Sequence, residues 1–340
     1  MLYSFIKYLL RIFFPYFFKK VHITGFDKIP KNQPVLLVSN HQNAFLDAVL
    51  AAYSFKQNVF FLVRSDLFKK GFINWLFEKL SLIPVFRQSD TTKNRSQKNQ
   101  ETFEKCQSYF EQKKTILIFP EGNSQASYRL EKLKKGAARM ALQAEANNGF
   151  KLGLLVIPVS ITYANHHKAK TTVWIEYDDA ISLGQFQSSY EENKIKAINE
   201  LTLLLSNRLT KMVLQHNWNK DKKNAFFKAV KQQKITSNKE LCKFSSQFTE
   251  CKVVDSKQDI KSNWLLKGLH LPVYLCSRSI QKMVNDKDFN LSIKAFSWLL
   301  LGFFELLTIF VVGWLFSSFL FSTLITTGFI TLSAALAKKA

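Results

Sequence analysis

The sequence predicts an α/β fold: a central mixed sheet covered by helices, with an apolar helix ahead of it and an apolar helical hairpin behind it. Between Val21 and about Gln215, short β-branched runs alternate with longer stretches of 3.6-residue period. That alternation is the pattern of a largely buried sheet under helices. Both ends of the 340-residue chain are almost wholly apolar, from Met1 to Phe18 and from Ala295 to Ala337.

Taken in order, Met1–Phe18 is interrupted only by Lys7 and Arg11, which are four apart and share one helical face. No small-residue cleavage site follows, and Lys19-Lys20 and a strand-like run come next. With Pro15 inside, residues 1–20 read as a membrane-interfacial helix rather than a signal peptide or a span. The alternative is a helix packed on the core. Within residues 21–216, the main domain, strands are expected at Val35–Val38, Val59–Val63, Thr115–Phe119, Leu154–Thr162 and Thr172–Tyr177. Helices are expected at Asp47–Tyr53, Asn74–Leu80, Asn99–Gln112, Gly136–Ala146 and Lys194–Leu214. There is no internal repeat, and no glycine-rich phosphate loop follows a strand, which argues against nucleotide binding.

Residues 217–294 turn lysine-rich and read as a basic helical linker, either solvated or leaning on anionic headgroups. Residues 295–340 are too long for one span, since about twenty residues cross a bilayer core. Two short helices, Ala295–Phe316 and Phe319–Leu336, would turn at Ser317-Ser318 as a transmembrane or re-entrant hairpin. Lys287, Lys294 and Lys338-Lys339 then fall on one side, as the positive-inside rule prefers, and Glu305 faces the partner helix.

Composition narrows the class further. Lys+Arg 48 against Asp+Glu 25 gives a formal charge of +23, which suits a polyanionic partner. Thirty-two phenylalanines beside those lysines fit an anionic membrane surface better than a nucleic-acid groove, and no nucleic-acid-binding signature is present. Cys106, Cys242, Cys251 and Cys276 form no CxxC pair, so neither a disulfide framework nor a zinc site is implied. His166-His167, an adjacent pair, reads as exposed loop rather than a metal site.

The chemistry gathers where strands end. Pro34–Val38 runs into Ser39-Asn40-His41-Gln42-Asn43-Ala44-Phe45-Leu46-Asp47. An imidazole is the side chain best matched to removing an alcohol proton near neutral pH, and a carboxylate on its other nitrogen fixes the tautomer. Positions six apart on a regular helix are about 240° apart around the axis, so His41 must precede the helix that carries Asp47. Downstream, Ile83-Pro84-Val85-Phe86-Arg87 ends an apolar strand in a guanidinium, suited to gripping a phosphate. Ile118-Phe119-Pro120-Glu121-Gly122-Asn123-Ser124-Gln125 follows another strand, and Val156-Ile157-Pro158-Val159-Ser160 is a buried strand with a proline.

These four segments, in this order and after Val21-His22-Ile23-Thr24-Gly25, resemble the four blocks of the glycerolipid acyltransferases across about His41 to Ser160. Phe-Pro-Glu-Gly is the most specific match, and Leu133-Lys134-Lys135-Gly136-Ala137 resembles the lysine–glycine stretch that follows it. Two departures stand out. Most of the family has four residues between the histidine and the aspartate, and here there are five, as in its glycerol-phosphate branches. The usual Thr-Arg-Ser continuation is Asn123-Ser124-Gln125, so a second phosphate-binding arginine is missing, and Arg129 or Lys134 would substitute.

The resemblance implies a glycerol-phosphate acyltransferase-like fold and a membrane-bound enzyme of phospholipid biosynthesis, its active site on the cytoplasmic face. It would move a fatty acyl group from acyl-CoA or acyl carrier protein to lysophosphatidate or glycerol 3-phosphate, with no cofactor. His41 and Asp47 would be catalytic, and Arg87, Glu121, Gly122 and Lys134 would bind substrate. Alternatives are an acceptor hydroxyl on an acylated amino-acid lipid, or a non-catalytic lipid-binding protein of the same fold.

Overall fold

The computed structural model describes residues 2–55, 57–68, 71–86, 94–216, 218–248, 270–283, 290–316 and 319–339. The chain divides into two compact units. The first comprises Met1–Tyr8, Val21–Ala164 and Val173–Cys251, and the second Leu9–Lys20, Asn165–Thr172 and Lys252–Ala340.

The chain opens with helix α1 (Leu2–Phe17) and strand β1 (Lys20–Thr24). There follow β2 (Val35–Ser39), α2 (Ala44–Ser54), β3 (Val59–Arg64), α3 (Phe72–Lys79), β4 (Leu82–Val85), α4 (Arg95–Glu111) and β5 (Thr115–Ile118). Then come α5 (Gly136–Asn147), β6 (Leu155–Tyr163), β7 (Thr172–Tyr177), β8 (Ile181–Ser182), α6 (Gln187–Glu192) and α7 (Lys194–Thr210). The eight strands form one mixed sheet in the order β1-β7-β6-β2-β5-β3-β4, with β8 paired to β6. Strands β6, β2, β5, β3 and β4 are mutually parallel, whereas β7 and β8 run antiparallel to β6. Parallel neighbours need crossovers, and the helices between them cover the sheet.

Burial follows. Every residue of β2 is buried, as a central strand covered on both faces must be. Ala137, Ala138, Ala141 and Ala144 give α5 a buried face of small side chains. They join one core with Leu36, Val38, Ile116, Phe110 of α4 and Leu201, Leu205 and Leu209 of α7. Each such fully buried leucine contributes about 2 kcal/mol of burial free energy. Asn193 starts α7 by accepting from the amides of Ile195 and Lys196, two of the donors a helix start leaves unpaired.

Two expectations need correction. The basic stretch after Gln215 is not simply solvated. It forms α8 (Lys220–Gln232) and α9 (Asn238–Gln247), the latter begun by a Ser237/Glu240 capping box. Phe226, Val230 and Leu241 are buried in a second cluster with Tyr128, Trp174 and Leu214, while lysines line the opposite face. The buried Asn238 amide donates to Ser160 and to the carbonyl of Trp174, tying α9 to the sheet. Next, His166 is buried rather than exposed, although His167 is exposed. On α1, the two cations differ in environment. Lys7 is buried and its ammonium donates to the carbonyl of Gln57 at 2.8 Å, because a buried charge requires a partner. Arg11 is exposed, as are Phe5, Tyr8 and Ile12.

In the second unit, α10 (Leu271–Met283), α11 (Asn290–Phe316) and α12 (Phe319–Lys339) pack in succession. Glu305, the acid in this apolar region, meets His270 Nδ1 at 2.5 Å, and His270 Nε2 meets Ser333 Oγ at 3.0 Å. Among the described residues, no helix is long and apolar enough to cross a membrane.

Candidate active site

The sheet order explains why segments 80 residues apart meet. Strands β2 and β5 are hydrogen-bonded parallel neighbours, with Val38 opposite Ile118. Their C-terminal ends therefore lie side by side, and the loops that follow emerge together. This is where α/β sheets place their sites. Strand β6 flanks β2 on the other side, with Val159 opposite Ser39.

Where β2 stops, Asn40 continues the pairing with its side chain, accepting from the amide of Ile161 at 2.8 Å and donating to its carbonyl at 3.0 Å. His41 is thereby fixed just ahead of α2, which starts at Ala44 as the spacing requires. Its Nδ1 lies 2.9 Å from Asp47 Oδ2. Asp47 is fully buried, and three donors serve its carboxylate. The Asn43 amide reaches Oδ2 at 2.7 Å, alongside the imidazole, and the Tyr163 hydroxyl reaches Oδ1 at 2.6 Å. A carboxylate only accepts, so the ring proton sits on Nδ1 and Nε2 is left to act as a base. Burial above all, and then the Asp47 charge, push the Tyr163 phenol well above its ordinary value, so it stays a donor. The imidazole also stacks on Phe119, with ring centroids 4.0 Å apart.

Glu121 is buried beside this pair. One carboxylate oxygen accepts from the His41 amide at 2.8 Å and the other from the Glu131 amide at 3.2 Å. Burial raises its carboxyl to about 7, against the opposing pull of those two amides. Glu121 thus holds two loops together, a task that the sequence alone does not reveal. The Gln125 amide donates to the His41 carbonyl at 3.0 Å, and the Ala44 amide to Ser124 Oγ at 2.6 Å.

Gly122 has φ +77°, and the exposed Lys134 side chain lies across it, so a Cβ there would stand 2.3 Å from Lys134 Nζ. The amide of Lys134 donates to the carbonyl of Pro120, closing the 120–134 loop. His41, Asp47, Glu121, Gly122 and Lys134 are therefore gathered at the ends of β2 and β5. Arg87 lies outside the described residues. Asn40, Phe119 and Tyr163 have no role in the sequence reading, and Ser124 enters it only as the place where an arginine is missing. A tyrosine ending a strand that is buried along nearly its whole length is the signal that could have found Tyr163, since a buried phenol needs a partner. Among the described residues no cluster of His, Cys, Asp and Glu could hold a metal ion.

Residues 20–162 match the family model described as Acyltransferase. These residues thus carry an acyltransferase domain, similar to that of the glycerolipid acyltransferases. It is 28% identical over 147 residues to the chloroplast 1-acyl-sn-glycerol-3-phosphate acyltransferase of Arabidopsis thaliana, covering 43% of this chain and 37% of that one. To the 1-acyl-sn-glycerol-3-phosphate acyltransferase of Borreliella burgdorferi it is 28% identical over 155 residues, 46% of this chain and 56% of the relative. To glycerol-3-phosphate O-acyltransferase 2 of Saccharomyces cerevisiae it is 29% identical over 112 residues, 33% of this chain and 15% of the relative. The match thus spans less than two thirds of each of these relatives. The crystal structure of the 1-acyl-sn-glycerophosphate acyltransferase of Thermotoga maritima aligns with a TM-score of 0.43 and 22% identity, covering 64% of this chain and 81% of that one. The acyltransferase domain contains every gathered residue except Tyr163, which directly follows it.

Proposed function

We propose that this acyltransferase moves a fatty acyl group from a thioester, acyl-CoA or acyl carrier protein, to a hydroxyl of lysophosphatidate or glycerol 3-phosphate. The observation that carries the reading is the buried, triply held Asp47 orienting His41 at the end of β2. His41 Nε2 removes the acceptor's hydroxyl proton as the oxygen attacks the thioester carbonyl. The carbon–oxygen bond forms, the carbon–sulfur bond breaks, and the imidazolium returns its proton to the departing thiolate. Asp47 stabilises the imidazolium in between.

In this reading Arg87 and Lys134 hold the acceptor's phosphate, and Gly122 lets the backbone approach the glycerol beside Glu121. Catalysis takes place at a membrane surface, with the active site on the cytoplasmic face. The exposed Phe5, Tyr8 and Ile12 of α1 and the exposed Phe304, Trp314, Leu315 and Leu324 of α11 and α12 support this membrane attachment, as does the net positive charge.

The test is acyl transfer from labelled acyl-CoA and acyl carrier protein to a panel of lysophosphatidate, glycerol 3-phosphate and an acylated amino-acid lipid. Wild type should acylate a phosphate-bearing acceptor, and His41→Ala should not. Arg87→Ala should raise the acceptor KM. Preference for the amino-acid lipid would replace the phosphate assignment. Thioester left intact by wild type with every acceptor would reject catalysis.

A further inference from the structure

We infer that Ser124 is a positioning residue for His41, acting through Ala44, an inference that rests on the acyltransferase reading above. Ala44 opens α2 at φ 41°, in the left-handed region that a Cβ disfavours. Such a conformation persists only where its surroundings hold it. The chain needs it here, because the loop from His41 must fold back so that Asp47, in the first turn of α2, reaches both the imidazole and the Asn43 amide.

The Ala44 amide is one of the donors a helix start leaves without an intrahelical partner. Its partner is the Ser124 hydroxyl at 2.6 Å, in the loop that follows β5. That same loop grips His41 at both backbone groups. Glu121 accepts from its N–H, and the Gln125 amide donates to its carbonyl. The imidazole-bearing loop is thus fixed at its start by residues 121 and 125 and at its far end by Ser124. Without the hydroxyl, the strained end is released, and the His41–Asp47 alignment depends on the remaining contacts.

The two departures from the family pattern then become one adjustment. The extra residue between His41 and Asp47 requires a support, and a serine at the position where an arginine is usual supplies it. The hydroxyl is turned to the loop, so position 124 contributes no cation to an acceptor, and phosphate recognition falls to other residues.

The experiment uses the full chain. Ser124→Ala should lower kcat about tenfold, as expected for losing one such hydrogen bond, with the acceptor KM within about twofold. Ser124→Thr keeps the oxygen and should restore most of the rate. Ala44→Gly, which accepts positive φ without strain, should recover much of the rate in the Ser124→Ala background. Hydrogen exchange reads the same contact without turnover: the Ala44 amide should exchange about tenfold faster in Ser124→Ala. Unchanged exchange would overturn the inference, whatever the activity. So would a rise in KM alone, which would make Ser124 an acceptor ligand. Faster exchange in a protein whose wild type transfers no acyl group would uphold the Ser124–Ala44 contact as the support of the His41 loop and defeat the acyltransferase reading on which its catalytic meaning rests.

Discussion

Tyr163 donates its hydroxyl to Asp47 over 2.6 Å from the last position of β6, and both side chains are fully buried. The phenol therefore helps to fix the orientation of Asp47 toward the imidazole.

Tyr163→Phe should leave one Asp47 oxygen buried without a donor, costing about 1–3 kcal/mol of stability. The carboxylate loses one of the contacts that fix its orientation toward His41, so kcat should fall several-fold with the acceptor KM little changed. An unchanged kcat, with only stability lost, would make Tyr163 a packing residue.

Asp47→Asn should keep the shape but lose the anion that fixes the Nδ1 proton. In serine hydrolases the equivalent change lowers kcat by roughly four orders of magnitude. A fall of about 10²-fold or more, with acceptor KM little changed, is expected in single-turnover measurements. A loss of less than twofold would remove Asp47 from the mechanism.

Glu121 makes the fold sensitive to pH in a defined direction. Its carboxyl stands at about 7 in the folded chain against an unfolded value of 4.5. The folded state therefore binds the extra proton between these values, so stability falls as pH rises from 4.5 to 7. The contribution reaches about 3 kcal/mol at most. Urea titrations at pH 5 and pH 8 should show this slope in wild type and lose it in Glu121→Gln, whatever the substitution costs at either pH. Equal slopes in the two proteins would contradict the assignment.

Gly122→Ala should strain a φ of +77° and push Lys134 aside, destabilising by about 1 kcal/mol. If Lys134 holds the acceptor, KM should also rise, and Lys134→Ala should give the same rise without the stability loss. A Gly122→Ala protein with unchanged KM would separate the lysine from acceptor binding.

Much of this arrangement could be read from the residues. Residues 172–177 were expected as a strand and form β7, because β-branched runs between turns leave few alternatives. The pairing of His41 with Asp47 was implied by the family resemblance, and helical geometry added only that His41 had to precede α2. What escaped was set by tertiary packing. Tyr163 belongs to the site because β6 lies beside β2, and no local pattern reports which strands are neighbours. The burial of Phe226 and Leu241 was masked by the lysines around them, which dominate composition while occupying the opposite face. The burial of Lys7 was equally illegible, because a carbonyl partner 50 residues away leaves no local trace.

The neighbour relation of β2, β5 and β6 also sets when the centre can exist during synthesis. A nascent chain that has released His41 gains the neighbouring β5 only after about 77 more residues, and β6 with Tyr163 only after about 120. Such non-local pairing is slow to establish. A ribosome-stalled product ending near residue 150 should hold the imidazole and carboxylate but show no transfer, whereas one extended beyond α9 should be competent.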